Sequence, residues 1–206
     1  MDCPAFSGPR SVPVLDGRAP WTGFQAPGDV VLTAGQGLVD FGNRIVQTLY
    51  EGTAARATHA MLVATPGLYL DATPRLGVTL IPAEAYAFDR PWPDGQLRRR
   101  LVAVYRHPEL AASGAWRTEL QRAMLRFCGQ PYNFRFFLKR EQVPDRTAFC
   151  CELVVKVFRS LGLELVPGRR SAAVLPETLR RALPAGGWLE VSDLYRRGMV
   201  APVLAR

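Results

Sequence analysis

Two adjacent cysteines, Cys150 and Cys151, begin the segment "CCELVVKVF", whose apolar residues have helical spacing. Leu153 and Val154 lie on the same predicted helix face as Cys150, whereas Cys151 is rotated about 100° toward the polar side. A thiol in the first turn of a helix is close to unpaired backbone N–H groups and to the positive end of the helix dipole, and both favour a thiolate. The pattern therefore selects Cys150 as a candidate nucleophile, with the alternative that it is a small buried core residue.

A nucleophilic thiol needs a base, and the sequence contains two histidines. His59 begins the apolar stretch "HAMLVAT", where an ionisable ring needs a reason to face the sheet, and Asp71 lies in the following stretch "LYLDAT". A carboxylate next to a histidine fixes its tautomer and stabilises the imidazolium. His107 precedes a proline, which is typical of a strand-to-helix corner. The sequence therefore predicts Cys150, His59 and Asp71 as nucleophile, base and orienting acid.

This set requires that His59 and Asp71 lie on the same face of a β-hairpin. A two-residue loop at Pro66 and Gly67 would place them on opposite faces, because side chains alternate along a strand. A loop of odd length, such as residues 66–68, would place them on the same face. We expect the odd loop.

Other chemistries find less support in the sequence. Adjacent Cys150 and Cys151 with two distant histidines do not have the spacing of a zinc site. The stretch "GQGLVDFG" lacks the phosphate-binding glycine patterns of nucleotide sites. A disulfide between neighbouring cysteines would require strained geometry at a helix start. We expect no metal and no cofactor.

The elements that would position these residues form an α+β pattern. Residues 1–27 are rich in proline and predict an extended N-terminal arm, and residues 28–206 predict one domain. The order is a strand at "VVLT", a helix over "LVDFGNRIVQTLY", a three-stranded meander, a strand at "QLRRRLVAVYRH", and a helix over "PELAASGAWRTELQRAMLRFCG" that ends near Cys128. A long loop containing "YNFRFF" then leads to the cysteine helix, a short helix at "PETLRRAL", and strands near Trp188 and Val200. This pattern predicts a central antiparallel sheet packed against helices.

The composition limits the setting and the partners. Four cysteines in 206 residues do not form a disulfide framework, and the N-terminal residues lack a signal-peptide pattern. We therefore expect a cytoplasmic protein without a transmembrane segment; export without a cleavable signal would leave no trace. The net charge of +8 favours anionic partners such as a membrane surface. Because "LRRR" is the only tight basic cluster, nucleic acid is disfavoured, and nothing in the sequence indicates the oligomeric state.

The motifs together carry a resemblance to a known family. "GDVVLT", "THAMLVATPGLYLDAT", "GVTLIP", "QPYNF" and "FCCELVVKVF" resemble the circularly permuted branch of the NlpC-type papain-like superfamily, the bacterial YiiX/YaeF-like proteins, with LRAT-type acyltransferases as relatives. In that branch the histidine strand precedes the cysteine helix. The family motif Cys-Ser-Glu-Leu-Val is similar to residues 150–154, with Cys151 in the serine position. LRAT relatives place glutamate directly after their cysteine, which would select Cys151, but their apolar positions match only when counted from Cys150. The resemblance covers roughly residues 28–162, and Asp71 departs from the family's glutamate or histidine.

This resemblance implies a circularly permuted papain-like fold and a thiol hydrolase or acyltransferase, an enzyme that cleaves an amide or ester bond through a thioester. Cys150 would attack the carbonyl, His59 would transfer the proton, and Asp71 would orient His59. The substrate would be an acyl lipid, as for a phospholipase, or a peptide or cell-wall amide, as for an amidase. The alternative is a catalytically silent binding module on the same fold.

Overall fold

The structure is a computed structural model that describes residues 24–36, 38–86, 88, 99–134 and 146–200. Six antiparallel strands form one sheet, β1 (Val30–Gly35), β2 (His59–Thr65), β3 (Leu68–Thr73), β4 (Gly77–Pro82), β5 (Arg99–Arg106) and β6 (Leu189–Glu190), in the spatial order β4-β3-β2-β1-β5-β6. The helices are α1 (Leu38–Glu51), α2 (Pro108–Ala112), α3 (Gly114–Phe127), α4 (Cys150–Arg159), α5 (Pro176–Ala185) and α6 (Ser192–Val200). The chain is therefore of the α+β class, as the sequence predicts.

Strands β1, β2 and β3 are buried on both faces, which explains why they are largely apolar, whereas β4 is partly exposed and β6 is exposed. One face packs against α3, α4 and α5 through residues such as Leu32, Leu62 and Leu70. The other face carries Tyr69 and a cluster of aromatic and aliphatic side chains that reaches α6 through Tyr195. β1 lies at the centre of the sheet and is buried along its whole length.

Most predicted elements are confirmed, and two are wrong in detail. The single helix predicted before Cys128 is broken into α2 and α3 at Ser113, whose side chain accepts a hydrogen bond from the Trp116 backbone N–H and caps α3. Cys128 is the residue that ends α3, as predicted. The strand predicted near Val200 is instead the end of α6, whereas the strand near Trp188 is β6.

The hairpin between β2 and β3 has a different geometry from the predicted one. Thr65 pairs with Leu68, so the loop has two residues, but Val63 pairs with Tyr69 and the register shifts between these pairs. Ala64 is therefore an extra residue on β2, a β-bulge. The predicted odd loop was wrong, and the bulge has the same effect, because it returns His59 and Asp71 to one face.

Helix α1 has an apolar face and a polar face, but much of the apolar face is exposed to solvent. The side chain of Phe41 is 62% exposed and that of Leu49 is 80% exposed. The helix is held instead by polar contacts: the Thr58 hydroxyl donates to Asp40 at 2.6 Å, and the Gln47 side chain donates to the Ala57 carbonyl at 3.1 Å. α1 is thus attached to the segment just before β2 while its apolar side chains face outward.

Only the last residues of the predicted N-terminal arm belong to the described part of the chain. Of the predicted arm, residues 1–23 lie outside the described residues, and Gln25 is buried, donating to the Tyr69 hydroxyl and accepting from the Gly67 N–H. Residues 24–27 therefore belong to the packed domain.

Within the described part of the chain, no helix has the length and apolar character needed to cross a bilayer.

Candidate active site

His59 and Asp71 form a direct pair inside the sheet. His59 is the first residue of β2, Asp71 lies on β3, and the register places them diagonally on the same face. The His59 Nε2 atom lies 2.7 Å from Asp71 Oδ1. Asp71 is fully buried and His59 is 9% exposed. Because Nε2 is engaged by the carboxylate, the ring nitrogen left for another partner is Nδ1.

Cys150 reaches this pair because strands β2 and β3 separate at this end. Their register pairs end at Leu62 and Leu70, after which β2 pairs only with β1 and β3 only with β4. Helix α4, which begins at Cys150, contacts both strands. The Ala60 backbone N–H lies close enough to the Cys150 sulfur to favour its ionised form and lower its pKa. The thiol is therefore placed beside the start of β2.

The electrostatics of the cluster favour a thiolate–imidazolium pair. The Cys151 thiol and the His59 ring, together with the Ala60 N–H, hold the pKa of Cys150 well below its usual value against the opposing effect of burial. Burial alone would lower the pKa of His59, but the Asp71 carboxylate and Cys150 outweigh it and raise the pKa of His59 to about 9. The pair is thus biased toward the thiolate–imidazolium form.

Two residues that the sequence did not select stabilise the ionised carboxylate of Asp71. Burial would raise the pKa of Asp71, but His59, the Arg99 guanidinium and the Tyr86 hydroxyl hold it below its usual value. The Tyr86 hydroxyl donates to Asp71 Oδ2, so both carboxylate oxygens are bonded. Arg99 lies 5.4 Å from the centre of the Tyr86 ring. An Asp bonded on both oxygens has a fixed orientation, as an orienting acid requires.

The position of Cys151 corrects the prediction that it faces the polar side of α4. It is fully buried, and its sulfur lies 4.0 Å from the Cys150 sulfur. Burial and the neighbouring Cys150 raise the pKa of Cys151 well above its usual value, so it remains a protonated thiol that can donate to the Cys150 thiolate. The two thiols share one environment, and their pKa values are shifted in opposite directions.

The first turn of α4 is anchored by a buried glutamate. Glu152 accepts hydrogen bonds from the Asn133 side chain at 2.9 Å and from the Phe149 backbone N–H at 3.3 Å, and it forms an ion pair with Lys156 at 2.9 Å. Lys156 also donates to the Thr147 carbonyl at 2.9 Å. These contacts fix the helix start and explain why Glu152 faces inward, where helical periodicity predicts a polar surface.

A narrow cavity leads to Cys150 from the side of α1. It has a volume of about 20 Å³, room for roughly one water-sized group. Its lining is Asn43, Val46, Gln47, Thr58, Tyr132, Phe149, Cys150, Leu175 and Pro176. Burial, followed by the charges of Cys150 and Asp71, raises the pKa of Tyr132, which keeps its hydroxyl protonated and able to donate. A small group at the thiol therefore meets a hydroxyl donor and the N-terminal N–H groups of α4.

The structure brings together Cys150, His59 and Asp71, and it separates the second histidine from them. His107 precedes α2 and packs edge-on against Trp188, with ring centres 5.5 Å apart. Tyr86 and Tyr132 were not selected from the sequence; the only signal was that Tyr132 belongs to the "QPYNF" motif. Of "YNFRFF", residues 135–137 lie outside the described residues. Among the described residues, no group of three or more His, Cys, Asp or Glu side chains could hold a metal ion.

Comparisons with known proteins add no assignment. No protein-family model matches the chain, and no curated protein matches it significantly.

Proposed function

We propose that this protein is a cysteine hydrolase or acyltransferase that cleaves an amide or ester bond through a thioester on Cys150. The observation that carries the proposal is the 2.7 Å contact between His59 and Asp71 beside a thiol whose pKa is strongly lowered at the start of a helix. Nucleophile, base and orienting acid are the three parts of such a site. Residues that serve only packing do not require a buried, charged pair of this kind.

The mechanism follows from the protonation states. The Cys150 thiolate attacks the substrate carbonyl, and the imidazolium of His59 gives its proton to the leaving alcohol or amine, which leaves a thioester. Neutral His59 then takes a proton from water or from a second acceptor, which attacks the thioester and releases the acyl product with the Cys150 thiolate. Asp71 holds the ring orientation through both steps. The N–H groups of the first turn of α4, which have no acceptor within the helix, would stabilise the oxyanion.

The proposed fold is a circularly permuted papain-like fold. In support of it, the histidine strand β2 precedes the cysteine helix α4, and α4 begins at the sheet position that carries the histidine. The orienting residue lies on the neighbouring strand β3. This chain order, with the resemblance of residues 150–154 to Cys-Ser-Glu-Leu-Val, supports the permuted arrangement.

Between the two substrate classes, helix α1 favours an acyl lipid. Val46 lines the Cys150 cavity and is 43% exposed, and Phe41, Ile45 and Leu49 extend the exposed apolar surface along the same helix. Such a surface beside a nucleophile suits a hydrocarbon chain or the interface of a membrane, and the net charge of +8 favours an anionic one. A peptide or cell-wall amide is the second candidate, supported by the NlpC-like motif.

The test is incubation with phospholipid vesicles and, separately, with peptidoglycan fragments, followed by mass spectrometry. We expect released fatty acid from the vesicles. New amines from the fragments would instead assign an amidase. Cys150→Ala should remove either product, and Cys128→Ala, which changes the half-buried cysteine at the end of α3, should retain it. If neither product forms while Cys150 reacts rapidly with an alkylating reagent, both substrate classes are wrong.

A binding module without catalysis is the competing function. It predicts that Cys150 alkylates slowly, at the rate of an ordinary buried thiol, and that His59→Ala does not change this rate. The hydrolase proposal predicts fast alkylation near neutral pH that His59→Ala slows.

A further inference from the structure

A second cavity, separate from the Cys150 site, is lined by arginines. It has a volume of about 520 Å³ and lies against β1, β5 and β6, with α1, α5 and α6 around it. Five arginines line it, and we refer to it as the arginine cleft: Arg44, Arg56, Arg100, Arg180 and Arg196. Glu190 is the only carboxylate among the described lining residues. Ligand sites in proteins have volumes of roughly 300–1,000 Å³, so the cleft is large enough for a small molecule.

Two of the five arginines are neutralised by carboxylates outside the lining. Arg180 pairs with the buried Glu177 at 2.7 Å, and Arg196 pairs with Asp193 at 3.0 Å. The lining carboxylate, Glu190, accepts a hydrogen bond from Ser192 at 2.6 Å. The cleft therefore retains an excess of positive charge from its other three arginines.

These three arginines have no carboxylate partner among the described residues. Arg56 and Arg100 are exposed at the cleft and have no side-chain hydrogen bond within the described part of the chain. Arg44 donates through Nη2 to the Gly35 carbonyl at 3.0 Å, but its Nε–H is buried without a hydrogen-bond partner. The three guanidinium groups therefore keep N–H donors at the cleft that no described carboxylate accepts.

The chemistry of the lining determines the class of ligand. Guanidinium groups are planar, permanently charged forks that bind phosphate oxygens in pairs. Three such groups around one cavity match an anion with several oxygens better than a single carboxylate. We propose that the arginine cleft binds a compact phosphate-bearing anion, either a soluble phosphate compound or the headgroup of an anionic phospholipid.

The arginine cleft is distinct from the proposed catalytic site. The two cavities share no lining residue, but they lie on either side of α1, with Asn43 in the Cys150 cavity and Arg44 in the cleft. The proposal therefore goes beyond the thiol chemistry and does not depend on it. The Cys150→Ala variant should bind the anion with unchanged affinity.

The test is titration of the full chain with inorganic pyrophosphate by calorimetry at constant ionic strength. We expect one saturable site. Arg56→Ala/Arg100→Ala should weaken binding by about tenfold or more, because hydrogen bonds to charged groups are each worth roughly that factor. The matched control is Arg75→Ala/Arg126→Ala, which removes the same charge from exposed positions on the β3–β4 turn and on α3. It should change the affinity by less than about twofold, since exposed charges act weakly at a distance.

A second arm distinguishes the sources of the phosphate. Vesicles of phosphatidylglycerol and of phosphatidylcholine are compared by sedimentation with the same variants. Binding to phosphatidylglycerol that needs Arg56 and Arg100, without binding of pyrophosphate, assigns a lipid headgroup. If neither probe binds in a way that depends on these two arginines, or if the control variant weakens binding equally, the proposal is wrong. Circular dichroism of each variant verifies that it is folded.

Discussion

The substitution Asp71→Asn tests the ion pair on which the proposed chemistry depends. It keeps the shape of the side chain and removes the charge next to His59 Nε2. The environment raises the pKa of His59 from 6.5 to about 9, a shift of 2.5 that corresponds to about 3 kcal/mol. Since burial by itself lowers this pKa, loss of the carboxylate should return it to 6.5 or below. At pH 7 the imidazolium fraction would then fall from about 99% to under about 25%.

The readout is the rate at which iodoacetamide alkylates Cys150 between pH 4 and pH 10. In the wild type the rate should be maintained well below the pKa of an ordinary thiol, about 8.5, because His59 stabilises the thiolate. In Asp71→Asn the acid limb should move upward by at least about one pH unit, so that at any pH on the sloping part of both profiles the rate falls by about tenfold. Fragment-ion mass spectrometry separates the label on Cys150 from that on Cys151.

The matched control is Asp29→Asn. Asp29 is as deeply buried as Asp71, and its carboxylate binds Arg106 at 2.6 Å and Tyr195 at 2.6 Å, neither of which belongs to the site. This control should lower stability and leave the acid limb unchanged. If Asp71→Asn leaves the limb unchanged as well, or if both variants move it equally, the ion-pair reasoning is refuted.

Three further predictions concern the surroundings of the thiol. Cys151→Ser keeps a donor toward the Cys150 thiolate and should retain most turnover in steady-state assays, whereas Cys151→Ala removes that donor and should raise the acid limb of the profile. Glu152→Gln breaks a buried ion pair and should lower the free energy of unfolding in urea by about 2–3 kcal/mol, whereas Glu119→Gln breaks an exposed pair and should change it by less than about 0.5 kcal/mol. Tyr86→Phe removes the hydroxyl that donates to the buried acid and should destabilise the protein by about 1–2 kcal/mol in the same assay.

Much of the fold could be predicted from the sequence because the central strands of the sheet are buried on both faces. The runs at β1, β2 and β3 are largely apolar, and β2 and β3 each contain one acidic or basic residue, His59 and Asp71. His59 and Asp71 were therefore visible as charged side chains in strands that had no place for an unpaired charge. Cys150 could be selected because a thiol at the start of a helix has a lowered pKa, and the start of the helix could be predicted from the sequence.

The sequence could not show how the first turn of α4 is surrounded. Helical periodicity assumes that a helix has one buried face, but every residue of this turn is buried, and α4 contacts both β2 and β3. Cys151 and Glu152 therefore face protein where the period predicts solvent. In α1 the prediction fails in the opposite direction. The helix forms where the apolar spacing predicts it, but the apolar side chains of Phe41 and Leu49 are exposed rather than buried. In both cases tertiary contacts, which a local pattern does not contain, decide the environment.

The β-bulge at Ala64 determines whether His59 and Asp71 lie on the same face of the sheet. With a regular two-residue hairpin the register would place Asp71 on the face opposite His59, and the pair could not form. The extra residue shifts the register by one, returns both side chains to the same face, and increases the local twist of the strand. The β2–β3 register pairs end at Leu62 and Leu70, and Cys150 lies close to His59 at this end of the strands. One inserted residue therefore accounts for the His59–Asp71 pair on which the proposed chemistry depends.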